Sequence, residues 1–159
     1  MNNQSTITLF NDGGNPYRGL LETFLKLPIG STDEVLALFA SLPGAVFCQG
    51  EGPMERFVYV PGSREDRILL TAHADTCWDE RYGVKPVENV DPVYAMGFYY
   101  GANYARGLGA DSRAGCAMLW ALRESGHSLL VTDGEVHGKI GALYLRHQQE
   151  QLFKEINSS

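Results

Sequence analysis

The sequence lacks several features that mark specialised classes of protein. No apolar run approaches the roughly 20 residues that a membrane-spanning helix needs. The first residues, MNNQSTITLF, contain no basic stretch followed by a long apolar one, so we see no secretory signal. Basic residues number 13 against 19 acidic ones, which gives a net charge of −6. We therefore expect neither a membrane nor a nucleic acid as a partner, because nucleic-acid binding normally requires a basic face.

Cysteine is also sparse. The three cysteines, Cys48, Cys77 and Cys116, are widely spaced and form no CxxC pair. Reduced thiols in a cytoplasmic protein are the simplest interpretation, with each side chain acting as a small buried apolar group. A hydrolase that uses Cys77 or Cys116 as nucleophile and His73 as base is an alternative, although the sequence has no Gly-x-Ser-x-Gly elbow.

The composition is that of an ordinary globular protein. Of the 159 residues, 44% are hydrophobic and 20% are charged, which suits one domain over residues 1–159 with a core of its own. Apolar periodicity predicts helices over 17–27, after 31, over 112–124 and from 139 towards 153. Ser31 and Glu34 have the spacing of a capping box, and Pro43-Gly44 ends that second helix.

Short apolar and β-branched runs predict the strands. They cover residues 45–49, 56–60, 67–72 and 128–132, with a further edge strand over 93–100. Strands that alternate with helices predict an α/β fold. We expect a layered helix/sheet/helix arrangement with a mixed, partly parallel sheet.

Ionisable residues stand where two of these strands end. His73 and Asp75 follow the strand over 67–72, and Glu135 follows the strand over 128–132. Asp111 lies at the junction of a glycine-spaced loop and a helix. Because ligands of open α/β sheets bind beyond the carboxyl ends of the strands, we expect these four residues to form one site.

Each of the four also has an ordinary structural interpretation. His73 and Asp75 suit a hydrogen-bonded pair at a strand end, Asp111 suits a helix N-cap, and Glu135 suits a solvated turn. The functional interpretation is that an extended chain points His73 and Asp75 to one face, where the carboxylate orients a metal-binding imidazole. Glu135 is then placed as a general base beside a metal-bound water.

Three segments of the chain carry a further signal. LTAHADT (70–76), GLGADSRAGCAM (107–118) and TDGEVHGKIGA (132–142) occur in this order. Together they resemble the di-zinc exopeptidases, the group of aminopeptidase-type zinc peptidases and related carboxypeptidases and deacylases. The aminopeptidase branch is the most similar.

The resemblance implies a zinc-dependent metallopeptidase that hydrolyses a peptide or amide bond with a metal-bound water. It implies that His73 is a metal ligand oriented by Asp75, that Asp111 bridges two zinc ions, and that Glu135 is the general base. The implied substrate is a peptide or an amino-acid amide, and a homo-oligomer is compatible with the family.

The chain departs from the family pattern in two places. A second, metal-binding Glu normally follows the base, but Val136 stands there, and His137 is a weak substitute because neighbouring side chains diverge. Beyond Ala142, His147 and Glu150 are more typical of a solvated helix face than of the family's downstream ligands. We therefore expect the N-terminal portion of such a domain, with the C-terminal part missing. The alternative function is a truncated or degenerate, non-catalytic metal-binding or interaction module.

Overall fold

A computed structural model of the chain describes residues 16–66, 68–77, 91–101 and 108–157. Arg67, at the predicted start of a strand, and Gly107, in the GLGADSRAG segment, lie outside the described residues. None of the described helices has both the length and the apolar composition needed to cross a membrane. The elements are α1 (Pro16–Lys26), α2 (Asp33–Ala40), β1 (Val46–Gln49), β2 (Arg56–Val60), β3 (Leu69–His73), β4 (Pro92–Ala95), β5 (Phe98–Gly101), α3 (Ala110–Ala121), β6 (Ser128–Thr132), α4 (Ile140–Gln148) and α5 (Glu150–Asn157).

The main sheet contains four strands in the order β1-β2-β6-β3. β2 pairs antiparallel with both β1 and β6, whereas β3 pairs parallel with β6. In this register His73, the last residue of β3, lies opposite Thr132, the last residue of β6. The predicted mixed, partly parallel sheet is confirmed, and its parallel pair brings two chain segments out at the same edge.

Helices cover both faces of the sheet. Val58 and Val131 belong to the larger core, which α1, α2 and α3 cover, and the rings of Phe24, Phe39 and Trp120 pack against one another there. Side chains of alternate residues point the other way. On that second face Phe57, Leu130 and Leu145 form a smaller cluster, against which side chains of α4 and α5 pack. The predicted helix/sheet/helix layering is therefore confirmed.

Two predicted elements are interrupted. The edge strand expected over 93–100 is wrong, because β4 and β5 form a separate antiparallel hairpin. Its loop residues Met96 and Gly97 have positive φ angles of 53° and 85°, which a type I′ hairpin turn requires. The helix expected from 139 towards 153 is two helices, because Gln149 leaves the helical region with φ −118° and ψ 47°.

The start of α2 also differs from the prediction. The N-cap is Thr32, whose side chain makes no capping hydrogen bond to the first turn of the helix. Ser31 Oγ instead accepts the backbone N–H of Asp33 at 3.2 Å. The expected Ser31–Glu34 capping box is therefore wrong, and the buried hydroxyl of Thr32 donates to Asp133 Oδ2 at 2.9 Å.

Candidate functional site

His73 ends β3 with both ring nitrogens facing oxygen atoms. Its Nδ1 lies 3.0 Å from the backbone carbonyl oxygen of Asp75 and 3.3 Å from Asp75 Oδ1. Its Nε2 lies 3.0 Å from Oδ1 of Asp111. Since these oxygens are acceptors, both nitrogens donate to them when the imidazole is protonated. The structure thus brings together three of the four residues expected at the site, two of them at a strand end and one at a helix start.

Asp75 connects this imidazole to the turn after β6. The residue is fully buried. Its Oδ1 accepts the backbone N–H of Glu135 at 3.1 Å, and its Oδ2 accepts that of Val136 at 3.0 Å. One carboxylate therefore fixes both the ring of His73 and the backbone of the residue expected to be the base.

His73 and Asp75 each stabilise the charged form of the other. Burial alone would raise the pKa of Asp75, but the hydrogen bonds from His73, Val136 and Glu135, together with the imidazole charge, lower its pKa to about 2. Burial likewise opposes the charged imidazole, yet the hydrogen bonds and charges of Asp75 and Asp111 outweigh it and raise the pKa of His73 above 6.5. Asp75 is therefore an ionised carboxylate, and the imidazole of His73 beside it is protonated more readily than a free one.

Asp111 lies at the solvent-facing side of the group. Its side chain is 92% exposed, against 16% for His73. Its backbone angles, φ −88° and ψ 105°, are not helical, although it falls within the first turn assigned to α3. Ser112 (φ −113°, ψ 31°) is not helical either, so the regular turns of α3 begin after these two residues. The Asp111 carboxylate faces the imidazole of His73.

Glu135 occupies the turn that follows Asp133. Its side chain is 33% exposed and lies 3.9 Å from the ammonium group of Lys139. Val136 beside it is 44% exposed and carries no donor atom. His137 is exposed, and its backbone N–H donates to the carbonyl oxygen of Gly134 at 3.3 Å. Glu135 therefore joins the site through its backbone, while its carboxylate lies near the ammonium group of a lysine four positions along the chain.

The donor set fits part of a zinc site. Two ligands of a tetrahedral zinc ion, each about 2.0–2.2 Å from the metal, lie roughly 3.3–3.5 Å apart. The separation of 3.0 Å between His73 Nε2 and Asp111 Oδ1 is close to that value. However, no group of three or more His, Cys, Asp or Glu side chains in the described ranges is arranged to hold a metal ion. The described residues therefore supply two donors, not the complete set that two zinc ions require.

Three residues that the sequence did not single out belong to the same region. Asp133 is fully buried, and its Oδ2 accepts hydrogen bonds from Arg56 and Thr32. Its Oδ1 accepts the backbone N–H of Gly134 at 2.8 Å. In the sequence Asp133-Gly134 is an ordinary turn pair, and only the burial of the neighbouring strand argues against a solvated carboxylate.

The cysteine alternative does not fit the geometry of Cys116. This thiol is fully buried and donates to the backbone carbonyl oxygen of His73 at 3.3 Å, not to the imidazole. Burial raises its pKa to about 12. A nucleophilic thiolate needs the opposite shift, so Cys116 is a structural residue. Cys77 is exposed.

Comparison with known proteins supports the fold. No protein-family model and no curated protein matches the sequence. Among solved structures, the chain is similar to aminopeptidase PepT from Bacillus cereus, with a TM-score of 0.55 and 19% sequence identity. The similarity covers 80% of this chain and 38% of the PepT chain, so it spans well under half the length of that protein. At this identity the similarity establishes a peptidase-like fold.

Proposed function

We propose that this chain carries part of the active site of a zinc-dependent, aminopeptidase-like hydrolase of peptide or amide bonds. The observation that carries the proposal is the double role of Asp75, whose carboxylate contacts the imidazole of His73 and accepts the backbone N–H of Glu135. The fold similarity to an aminopeptidase supports the same class of reaction. The substrate that we propose is a peptide or an amino-acid amide.

In this proposal each residue has a separate task. His73 and Asp111 hold the metal through Nε2 and Oδ1, the two atoms that lie 3.0 Å apart. Asp75 keeps the imidazole in the orientation that leaves Nε2 towards Asp111, a role often filled by carboxylates behind metal-binding histidines. When bound, zinc supplies a Lewis acid for the scissile carbonyl and lowers the pKa of water towards about 7.

Glu135 is the proposed proton carrier. Its carboxylate takes a proton from the attacking water and returns it to the nitrogen of the leaving amine, so the base is regenerated after each cycle. The backbone hydrogen bond to Asp75 limits where this carboxylate can move. Because Val136 provides no ligand, the other protein ligands of the metal come from outside the described group.

The experiment measures zinc binding and hydrolysis separately. The chain is purified without chelator, its zinc content is determined by mass spectrometry, and ZnCl₂ is titrated calorimetrically. A panel of amino-acid amides and dipeptides is then assayed with and without a chelator. We expect His73→Ala and Asp111→Asn to weaken zinc binding, whereas Glu135→Gln retains zinc and loses turnover.

Two control variants test whether the bound zinc is at this site. His127→Ala removes an imidazole near Asp66, away from the proposed ligands. Cys77→Ser removes an exposed thiol that would bind zinc adventitiously. Zinc binding that survives His73→Ala but disappears in Cys77→Ser would overturn the proposed site. Zinc binding at His73 without hydrolysis of any substrate would instead support a metal-binding module.

A further inference from the structure

The turn that carries Glu135 is held by two buried carboxylates, one on each side. Asp75 accepts the N–H groups of Glu135 and Val136, as described above. Asp133 accepts the N–H of Gly134, the residue immediately before Glu135. Three successive peptide N–H groups are therefore bound by carboxylate oxygens from two different parts of the chain.

Asp133 is held in turn by two elements of the core. Arg56, the first residue of β2, donates from Nε and Nη2 to Asp133 Oδ2 at 3.0 and 2.8 Å. The same Nη2 donates to the hydroxyl of Thr32 at 2.6 Å, and this hydroxyl donates to Asp133 Oδ2 at 2.9 Å. We call Thr32, Arg56 and Asp133 the α2–β2 clamp. Its three side chains close a ring of hydrogen bonds around one carboxylate oxygen.

The cost of burying these groups argues against an incidental contact. Asp133 is fully buried, and the side chain of Arg56 is only 14% exposed. A buried carboxylate is tolerated only when its lone pairs are satisfied and its charge is paired. Thr32 contributes by turning its hydroxyl away from the start of α2, where a threonine would ordinarily cap the helix. The hydroxyl of Thr32 thus does not cap α2 but donates to Asp133, which lies 101 positions along the chain.

The backbone around Asp133 is equally constrained. Its N–H donates to the carbonyl oxygen of Arg56 at 3.1 Å, and its own carbonyl oxygen accepts the N–H of Gly141 at 2.8 Å. A Cβ added to Gly141 would lie 2.6 Å from that carbonyl oxygen and 2.8 Å from the nitrogen of Asp133. The start of α4 therefore packs directly against the backbone of the clamp, and only glycine allows this approach.

We propose that Asp133 is a positioning residue for Glu135, acting with Arg56 and Thr32 through the backbone of the turn. Asp75 holds the N–H groups of Glu135 and Val136, and the α2–β2 clamp holds the N–H of Gly134 through Asp133. These bonds restrict rotation of the peptide units on both sides of Glu135. The inference rests on the proposed role of Glu135 as the base. The hydrogen bonds described for the clamp hold the turn that leads to Glu135, whereas the Nε2–Oδ1 contact of His73 with Asp111 is a separate one, so we expect loss of the clamp to disturb the base more than the zinc donors.

The test compares Thr32→Val, which removes the hydroxyl at nearly constant volume, with Thr32→Ser, which keeps it. Asp133→Asn is the stronger variant, and Thr32→Val decides the outcome if Asp133→Asn does not fold. Asp33→Asn is the matched control, because it removes a 2.7 Å ion pair to Arg56 from a side chain that is 72% exposed. Amide hydrogen exchange is followed by NMR in the full chain, together with zinc affinity, kcat and KM.

We expect Thr32→Val to accelerate exchange at Gly134, Glu135 and Val136 by about tenfold relative to Ala117 in α3. The dissociation constant for zinc should change by less than about threefold. In an active chain kcat should fall about tenfold with little change in KM, the sign of a defect in the chemical step. Thr32→Ser should restore the wild-type values, and Asp33→Asn should reproduce them.

Unchanged exchange at residues 134–136 in Thr32→Val would overturn the positioning role, as would equal acceleration at Ala117. A wild-type chain that neither binds zinc at His73 nor hydrolyses any substrate would refute the proposed function. It would leave the exchange comparison decisive for the clamp, so the two failures are distinguishable.

Discussion

The buried carboxylate of Asp75 accepts the backbone N–H of Glu135 at 3.1 Å, across 60 positions of the chain. The same carboxylate group contacts the imidazole of His73. The geometry of a proposed metal ligand and that of a proposed base are therefore coupled through one side chain. Each of them is sensitive to changes at Asp75 even though neither is altered chemically.

Replacement of Asp75 by asparagine should destabilise the chain strongly. The amide keeps one acceptor oxygen, but its NH₂ group then faces the backbone N–H of Glu135 or Val136, and one buried donor is left unsatisfied. We expect Asp75→Asn to lower the free energy of unfolding by about 2–3 kcal/mol in urea titrations. The matched control is Asp66→Asn, which alters an exposed, solvent-screened pair with Arg64 and should change that free energy far less. Equal effects of the two substitutions would contradict the structural role of Asp75.

Acid should weaken the same interaction. The pKa of Asp75 is about 2 in the folded chain, below its ordinary value of 3.8. Its contribution is therefore fully present above about pH 4 and is lost as the pH falls towards 2, a total of about 2 kcal/mol. The free energy of unfolding, measured in metal-free buffer between pH 5 and pH 3, should fall more steeply for the wild-type chain than for Asp75→Asn. Parallel curves for the two chains would refute this assignment.

Restoring an acid at position 136 should strengthen zinc binding. The side chain of Val136 is 44% exposed, so a glutamate fits without entering the core, and the backbone N–H to Asp75 is unaffected. We expect Val136→Glu to tighten zinc binding by at least about tenfold in calorimetry, because it adds a third donor. Val136→Gln has the same size without the charge and serves as the control. If both variants bind zinc equally, residue 136 does not reach the metal.

A single methyl group at Gly141, at the start of α4, should disturb the backbone of Arg56 and Asp133. The added Cβ would lie 2.5 Å from the carbonyl oxygen of Arg56 and 2.6 Å from that of Asp133, and backbone atoms cannot rotate away as a side chain can. We expect Gly141→Ala to lower the free energy of unfolding by about 1–3 kcal/mol despite the better helix propensity of alanine. Leu143→Ala, at a 43% exposed position of the same helix, should cost less. A stabilised Gly141→Ala chain would contradict the close packing of α4 on the strand ends.

Much of the fold follows from local sequence patterns. The apolar run before His73 and the run from Ser128 to Thr132 are short and bounded by polar residues, and the corresponding strands β3 and β6 are present, β6 largely buried and β3 half-buried. The order of strands and helices then predicts a parallel pair and a shared site edge. His73, Asp75 and Asp111 meet as the sequence suggested, because strand ends and helix starts have few alternative positions in such a fold.

The sequence predicts the wrong structure where a turn lacks its usual residues or where a side chain bonds to a residue far along the chain. Met96-Gly97 lacks the usual Asn-Gly or Asp-Gly signature of a type I′ turn, so the sequence pattern predicts one strand where the structure has two. Thr32 precedes α2 as an N-cap residue would, but its hydroxyl belongs to the α2–β2 clamp. Arg56 and Asp133 lie 77 positions apart. No periodicity or spacing within one element encodes a pair of charges that meets only after the sheet has formed.

His73 pairs with Thr132 at the end of the parallel strands, so the geometry of the site depends on the register between β3 and β6. A shift of β3 against β6 by one residue would turn every side chain of β3 to the opposite layer and carry Asp75 away from the amides of Glu135 and Val136. Parallel pairing across an intervening helix is also a non-local and slow event in folding. The hydrogen bonds of Asp75 can therefore form only after β3 and β6 have paired in the correct register. A chain with a shifted register would contain the same residues but would not bring them together.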